Sequence, residues 1–139
     1  MTDFLHITLT QQESHETGAL ALAHVGDAVY ELMVRAYLCK SGGKSAKTLH
    51  KKTVAMVSAN AQAQAAEKIF DILTEKEREI YTRGRNTKVH SHPKGAELSA
   101  YHAATGLEVL FGSLYLAGEY DRLNTVFSHI VESENGFSE

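Results

Sequence analysis

The stretch LAHVGDAVYELMV at residues 22–34 decides the fold. It lies within an apolar run at residues 18–39 that four polar side chains interrupt: His24, Asp27, Glu31 and Arg35. These four recur every three or four positions, which is the repeat of a helix that presents one polar stripe on an otherwise buried surface. They also exclude the run as a membrane span. A Ser-Gly-Gly sequence at residues 41–43 predicts the end of this helix.

The rest of the chain shows the same helical periodicity, and no run alternates as a strand would. Thr74 and Glu77 have the spacing of a capping box, in which each side chain bonds the backbone N–H of the other residue. The only proline, Pro93, falls in an irregular segment at residues 85–96. Further helices are predicted to begin near residues 45, 58, 74, 97 and 119, with serine N-caps at 45 and 58. The prediction is an all-α helical bundle.

The length of 139 residues is close to the commonest size of one compact domain, so a single domain at 1–139 is expected. The single cysteine, Cys39, rules out a disulfide framework and indicates a reducing compartment, which predicts a cytoplasmic protein. We expect Cys39 itself to be a small core residue. The first 12 residues lack the basic and apolar regions of a signal peptide.

The net charge of -3 argues against a nucleic-acid binder when it is taken alone. Nine of the 14 bases, however, lie in two stretches without any acid, at residues 40–53 and 83–95. The charge of this chain is therefore segregated, and a segregated chain can present a basic surface to a polyanion. Two solvated polar loops remain the alternative.

Asp27 is an unusual residue for its surroundings, because it lies in the middle of an apolar helix directly after Gly26. A glycine inside a helix costs about 1 kcal/mol relative to alanine, which indicates a close approach to the backbone there. A carboxylate in such a place needs a cation, several donors or a metal ion as its partner. A salt bridge with Arg35 or with a base distant in sequence, or a helix end at this point, is at least as good an explanation as a metal site.

Glu108 is the only charged residue between His102 and Gly118, and it lies between Gly106 and Gly112. Two isolated acids on apolar helices that carry glycines can converge on one divalent cation. Oxygen ligands of this kind suit Mg²⁺, which keeps several waters and uses few protein carboxylates. Such a site supports the hydrolysis of a phosphodiester bond.

These two neighbourhoods resemble the ribonuclease III catalytic domain. Residues 22–34 resemble the signature helix of that family, and TGLEVLFGSLYL at residues 105–116 resembles its second metal-binding helix. The RGRN run at residues 83–86, then Pro93-Lys94, then Tyr101 resemble in order and spacing the short Mini-ribonuclease III branch, which lacks the double-stranded-RNA-binding domain. The resemblance covers residues 18–125, and several separated motifs in order are more specific than one.

The resemblance implies a homodimeric, Mg²⁺-dependent endoribonuclease that cuts double-stranded RNA and leaves a 5′ phosphate and a 3′ hydroxyl. In that branch the substrate is a precursor of large-subunit (23S) ribosomal RNA, and a ribosomal protein is a possible helper. Asp27 and Glu108 take the catalytic and metal-binding positions. RNA contacts are expected at Arg83, Arg85, Asn86, Lys88 and Lys94.

The chain departs from the full-length ribonuclease III pattern at two positions. Ala23 and Thr105 stand where that pattern has acids, as they do in the Mini branch. The number of metal ions therefore stays open. The missing acids also support an alternative, a non-catalytic dimer that binds duplex RNA or the ribosome and keeps the fold.

Overall fold

The computed structural model describes residues 1–88 and 95–135, and their regular secondary structure is entirely helical. A 3-10 turn at Phe70–Ile72 separates the fourth and fifth helices. The seven α-helices are α1 (Gln11–Glu16), α2 (Ala19–Ser41), α3 (Ala46–Val57), α4 (Ala59–Ile69), α5 (Glu75–Arg85), α6 (Ala96–Leu116) and α7 (Tyr120–Asn135). The predicted all-α fold is confirmed. No helix in these ranges is both long and apolar enough to cross a membrane.

Local capping explains where the helices begin. The side chains of Ser45 and Ser58 accept hydrogen bonds from the backbone at the starts of α3 and α4, as predicted. The predicted capping box at Thr74 opens α5. The short helix α1 was not predicted, although Thr10 and Glu13 form a second capping box with the same spacing.

Helix α6 lies at the centre of the bundle, and α2, α4, α5 and α7 pack around it. Leu107, Val109, Leu110 and Phe111 of this helix expose none of their surface. Together with Leu107, the run at residues 109–111 turns apolar side chains to nearly every side of this part of α6, and such a helix must be buried. Tyr30 of α2 meets Phe111 edge to face, with ring centroids 5.1 Å apart.

Two glycines bring the backbones of α2 and α6 into direct contact. A Cβ atom added to Gly26 would lie 1.6 Å from the carbonyl oxygen of Glu108. A Cβ atom added to Gly112 would lie 2.1 Å from the carbonyl oxygen of Leu22. Neither approach is possible for a residue with a side chain, so these glycines set where the two helices cross.

Helices α5 and α7 are joined by an ion pair between the buried Glu77 and the half-buried Arg122. Arg122 donates to both carboxylate oxygens of Glu77 at 2.8 Å and to the carbonyl of Ile72 at 2.6 Å. Burial by itself raises the pKa of Glu77, but hydrogen bonds from Arg122 and from the Thr74 backbone outweigh it and hold this pKa below its usual value. The pair therefore links the start of α5 to α7.

Two predictions about α2 are wrong. Its polar stripe does not lie on an otherwise buried helix, because Leu20 and Leu32 are 48% and 62% exposed. Cys39 is exposed and does not lie in the core. Periodicity separates polar from apolar positions, but it does not show whether another element covers each apolar position.

Part of the first basic stretch stabilises the end of α2. The amino groups of Lys44 and Lys52 donate to the carbonyls of Cys39 and Gly42 respectively. Cations at a helix C-terminus bond its last carbonyls and interact favourably with the helix dipole. These two lysines are therefore engaged with the protein itself.

Candidate active site

The glycine crossing brings Asp27 and Glu108 together. Asp27 follows Gly26, whose backbone lies against the carbonyl of Glu108, so the two side chains leave the crossing as neighbours. Asp27 is exposed, whereas Glu108 is half-buried. One carboxylate therefore faces solvent and the other lines the wall behind it.

The pKa of Glu108 reflects how close it lies to Asp27. Burial raises the pKa of the Glu108 carboxyl, the negative charge of Asp27 raises it further, and a hydrogen bond from Gln62 lowers it in part. The result is a pKa of about 7. When two carboxyl groups are neighbours and no cationic side chain lies between them, repulsion between the two negative charges makes it costly to ionise both. One of them therefore keeps its proton to a higher pH. A divalent cation would relieve the same repulsion.

The donor set fits a small hard cation that keeps most of its waters. Carboxylate oxygens are what Mg²⁺ prefers, and one or two of them suffice. Within residues 1–88 and 95–135, no group of three or more His, Cys, Asp or Glu side chains is arranged to hold a metal. Ala23 and Thr105 are both buried, and the Thr105 hydroxyl bonds the Tyr101 carbonyl at 3.0 Å. The protein therefore offers two carboxylates here.

Arg35 bonds Glu31 one turn away on α2. The salt bridge between Asp27 and Arg35, considered from the sequence, is therefore replaced by a pair within the same helix at spacing i, i+4.

Gln62 of α4 lies beside Glu108, and the sequence did not single it out. Its side chain contacts Glu108, is 3% exposed, and donates from Nε2 to the Val57 carbonyl at 3.0 Å. Its Oε1 is buried without a hydrogen-bond partner. The signal was present, because Gln62 lies three and seven positions before Ala65 and Ile69 on the buried face of α4.

Among the expected RNA-contact residues that the structure describes, Arg83 and Arg85 do not lie together. Arg83 reaches the carbonyl of Thr17 at 3.5 Å, whereas the guanidinium of Arg85 lies 5.8 Å from the centre of the Tyr81 ring. Residues two apart on a helix do not face each other, so the two arginines leave α5 on different sides. Asn86 and Lys88 are exposed just after α5, and Lys94 lies outside the described residues.

Fold and site together define an all-helical domain built around a pair of carboxylates. Residues 20–119 match the Ribonuclease III domain family. The chain belongs to the ribonuclease III family, the helical endoribonucleases that act on double-stranded RNA.

The relatives of this chain cover nearly its whole length. It is 43% identical over 134 residues to Mini-ribonuclease 3 of Thermoanaerobacter sp. (strain X514), covering 95% of this chain and 94% of that protein. It is 38% identical to Mini-ribonuclease 3 of Clostridium tetani, covering 92% and 85%. The solved structure of protein FN1578 from Fusobacterium nucleatum superposes with a TM-score of 0.76 at 30% identity, covering 86% and 95%. The resemblance to the Mini branch is confirmed.

Proposed function

We propose that this protein is a Mg²⁺-dependent endonuclease of double-stranded RNA in which Asp27 and Glu108 hold the ion. The observation that carries the proposal is the pairing of these two carboxylates across a backbone contact between α2 and α6. When bound, Mg²⁺ supplies an oriented water and offsets charge on the leaving 3′ oxygen. The products carry a 5′ phosphate and a 3′ hydroxyl.

The residues of the chain have distinct parts in this proposal. Asp27 is exposed and meets the substrate side, while the half-buried Glu108 is held by the wall of the site. Glu108 must lose its proton before it can act as a ligand, since only the carboxylate binds a metal. The glycine crossing keeps both groups at a fixed separation, and this preorganisation favours catalysis.

RNA binding is assigned to the basic residues around the end of α5. A duplex RNA is recognised mostly through its shape, its phosphates and its 2′ hydroxyls. Because Arg83 and Arg85 diverge, we infer that they contact different parts of the backbone. The proposed phosphate and 2′-hydroxyl contacts are Arg83, Arg85, Asn86, Lys88 and Lys94.

The proposed substrate is a precursor of 23S ribosomal RNA in the cytoplasm. The names of the relatives, Mini-ribonuclease 3, support this proposal, because the sequence resembles that branch over the same helices. A net charge of -3 gives little non-specific affinity for RNA. A ribosomal protein that presents the RNA would offset this weakness.

We propose further that the protein acts as a homodimer joined through an apolar groove beside the site. The groove has a volume of about 590 Å³ and lies between the N-terminal segment, α2 and α7. Leu5 and Leu32 line it and are 65% and 62% exposed. A second copy is the occupant that suits it, since Ala28 of the groove adjoins Asp27 and pairing doubles the few phosphate contacts of one chain. Leu32→Glu should give a monomer in sedimentation; an unchanged mass would exclude this face.

One assay tests the proposed activity. The parent should cut duplex RNA with Mg²⁺ and not with a chelator, and Asp27→Asn should fold normally yet lose cleavage. Asp71→Asn, which changes an exposed acid elsewhere, is the matched control and should cut like the parent. Cleavage by Asp27→Asn at the parent rate would disprove the metal assignment. Tight binding of duplex RNA by the parent without any cleavage would support the alternative of a non-catalytic binder.

A further inference from the structure

The side chain of Gln62 is almost completely enclosed, yet only half of its amide is used. It is 3% exposed, and its Nε2 bonds the carbonyl of Val57 at 3.0 Å. The same side chain hydrogen-bonds the carboxyl of Glu108. Its Oε1 is buried without a partner. Buried amide groups nearly always satisfy both ends, so an unpaired oxygen at this position needs an explanation.

The neighbours of the amide determine which end is nitrogen. The Val57 carbonyl only accepts hydrogen bonds, and so does an ionised Glu108. A hydrogen bond donated to the carboxylate stabilises the charged form of Glu108 and lowers its pKa. Both acceptors therefore need the NH₂ group, whose two hydrogens they use. Reversing the amide would place its oxygen against two other oxygens, so Oε1 is the end that remains free.

Packing alone does not account for a glutamine at this position. Its neighbours on the inner face of α4 are Ala65, Ala66 and Ile69, which are 2%, 4% and 0% exposed. An apolar side chain of the same length would fill the space without leaving a buried oxygen unpaired. A free oxygen at this position is explained if it accepts a hydrogen bond from a molecule that is present only when the protein has bound its ligands. Because Oε1 and Nε2 share one carbon atom, a donor that reaches Oε1 also lies close to the carboxyl of Glu108 that Nε2 contacts.

We propose that Gln62 is a positioning residue of the cation site: its Nε2 holds the Glu108 carboxylate in place, and its Oε1 accepts a hydrogen bond from a water of the hydrated cation. This inference rests on the proposed function, because it assumes that Asp27 and Glu108 hold a divalent ion. Mg²⁺ keeps most of its waters when it binds proteins, so such a site needs acceptors for those waters as well as direct ligands. Groups that orient the ligands of a metal affect its affinity strongly.

The test is the binding of Mn²⁺ to the RNA-free protein, measured by calorimetry. Gln62→Met keeps the length of the side chain and removes its donors and acceptor. It should weaken Mn²⁺ binding by roughly 10- to 100-fold, the usual effect of losing an outer-shell partner. Cleavage of duplex RNA should show a lower kcat with little change in KM, because the phosphate contacts remain. The matched control is Gln64→Met, an exposed glutamine on the same helix, which should behave as the parent in both assays.

The outcomes separate this inference from the proposed function. If the parent binds Mn²⁺ and Gln62→Met binds it equally well, Gln62 has only a structural role and the inference is wrong, while the proposed function stands. If the parent and Asp27→Asn both fail to bind Mn²⁺, both proposals fall. If Gln62→Met does not fold, NMR of the parent protein tests whether Gln62 contacts the hydrated cation. Mg²⁺ should then shift the side-chain amide signals of Gln62 and leave those of Gln64 in place, and an unmoved Gln62 signal overturns the inference.

Discussion

Gly26→Ala tests the backbone contact on which the site depends. The added Cβ atom would lie 1.6 Å from the carbonyl oxygen of Glu108, whereas a carbon and an oxygen in close contact are about 3.3–3.6 Å apart. The neighbour is backbone in the middle of a helix and cannot rotate away. Helices α2 and α6 must therefore separate by about 2 Å at the crossing.

The expected loss of stability follows from two opposing effects. Overfilling a packed core costs about 1–3 kcal/mol and occasionally more, and a contact between two backbones belongs at the upper end. Alanine favours a helix over glycine by about 1 kcal/mol, which offsets part of it. We expect Gly26→Ala to lower the free energy of unfolding by roughly 2–3 kcal/mol, out of a total of about 5–15 kcal/mol for a domain.

Two measurements check this prediction. Urea unfolding gives the free energy, with Gly18→Ser as the control, because a Cβ atom at Gly18 has no neighbour within 4 Å. The control should stay within a few tenths of a kcal/mol of the parent. Cleavage is measured where both proteins are folded, and a displacement of about 1 Å can reduce a rate by roughly 100-fold. A Gly26→Ala protein within about 0.5 kcal/mol of the parent that also cuts at the parent rate would refute the crossing as described.

Four further predictions concern Glu108, Arg122 and Arg85. Cation binding must remove the proton that Glu108 holds at a pKa of about 7 in the metal-free protein, so Mn²⁺ affinity should rise with pH up to and slightly above 7 and then level off. Because the same pKa is raised, the free energy of unfolding of the metal-free protein should fall as the pH rises from the ordinary pKa of 4.5 towards 7. Glu108→Gln should abolish this pH dependence in urea unfolding. A parent protein whose Mn²⁺ affinity and stability both stay constant over this pH range contradicts the pairing with Asp27. Arg122→Ala leaves the Glu77 carboxylate buried without its partner and should lower the free energy of unfolding by about 3–5 kcal/mol. The double variant Arg122→Ala/Glu77→Gln should recover part of this loss. If the effects of the two single changes simply add, the two residues are not coupled. Arg85→Ala should weaken duplex-RNA binding and reduce the slope of log affinity against log salt concentration by about one. Lys76→Ala, which removes an exposed base on the same helix, should change neither. If filter binding gives the parent and Arg85→Ala the same slope, Arg85 does not contact the RNA.

The helix boundaries could be predicted because capping is local. Ser45, Ser58 and Thr74 each bond a backbone N–H three positions along, and the sequence displays both partners. The helix after Thr10 obeys the same rule and was missed only because no apolar run follows it. Boundaries therefore follow from residues that are neighbours in the chain.

The site could be predicted only in part, because most of its contacts are distant in sequence. Asp27 and Glu108 stood out as isolated acids beside glycines, and the family resemblance paired them. Gln62 did not stand out, since one glutamine in an alanine-rich helix looks like its exposed neighbour Gln64. The divergence of Arg83 and Arg85 was also hidden, because a run of adjacent basic residues gives no direction in space.

The central position of α6 has a consequence for the way this protein loses its activity. Between residues 104 and 112 this helix has no exposed residue and is packed among α2, α4, α5 and α7, so the backbone amides of that part should exchange with solvent only when the whole domain opens. Glu108 is carried on that element, and the surface loops can open and close without disturbing it. Heat should therefore inactivate the protein in a single step together with global unfolding, with no folded but inactive species at lower temperature.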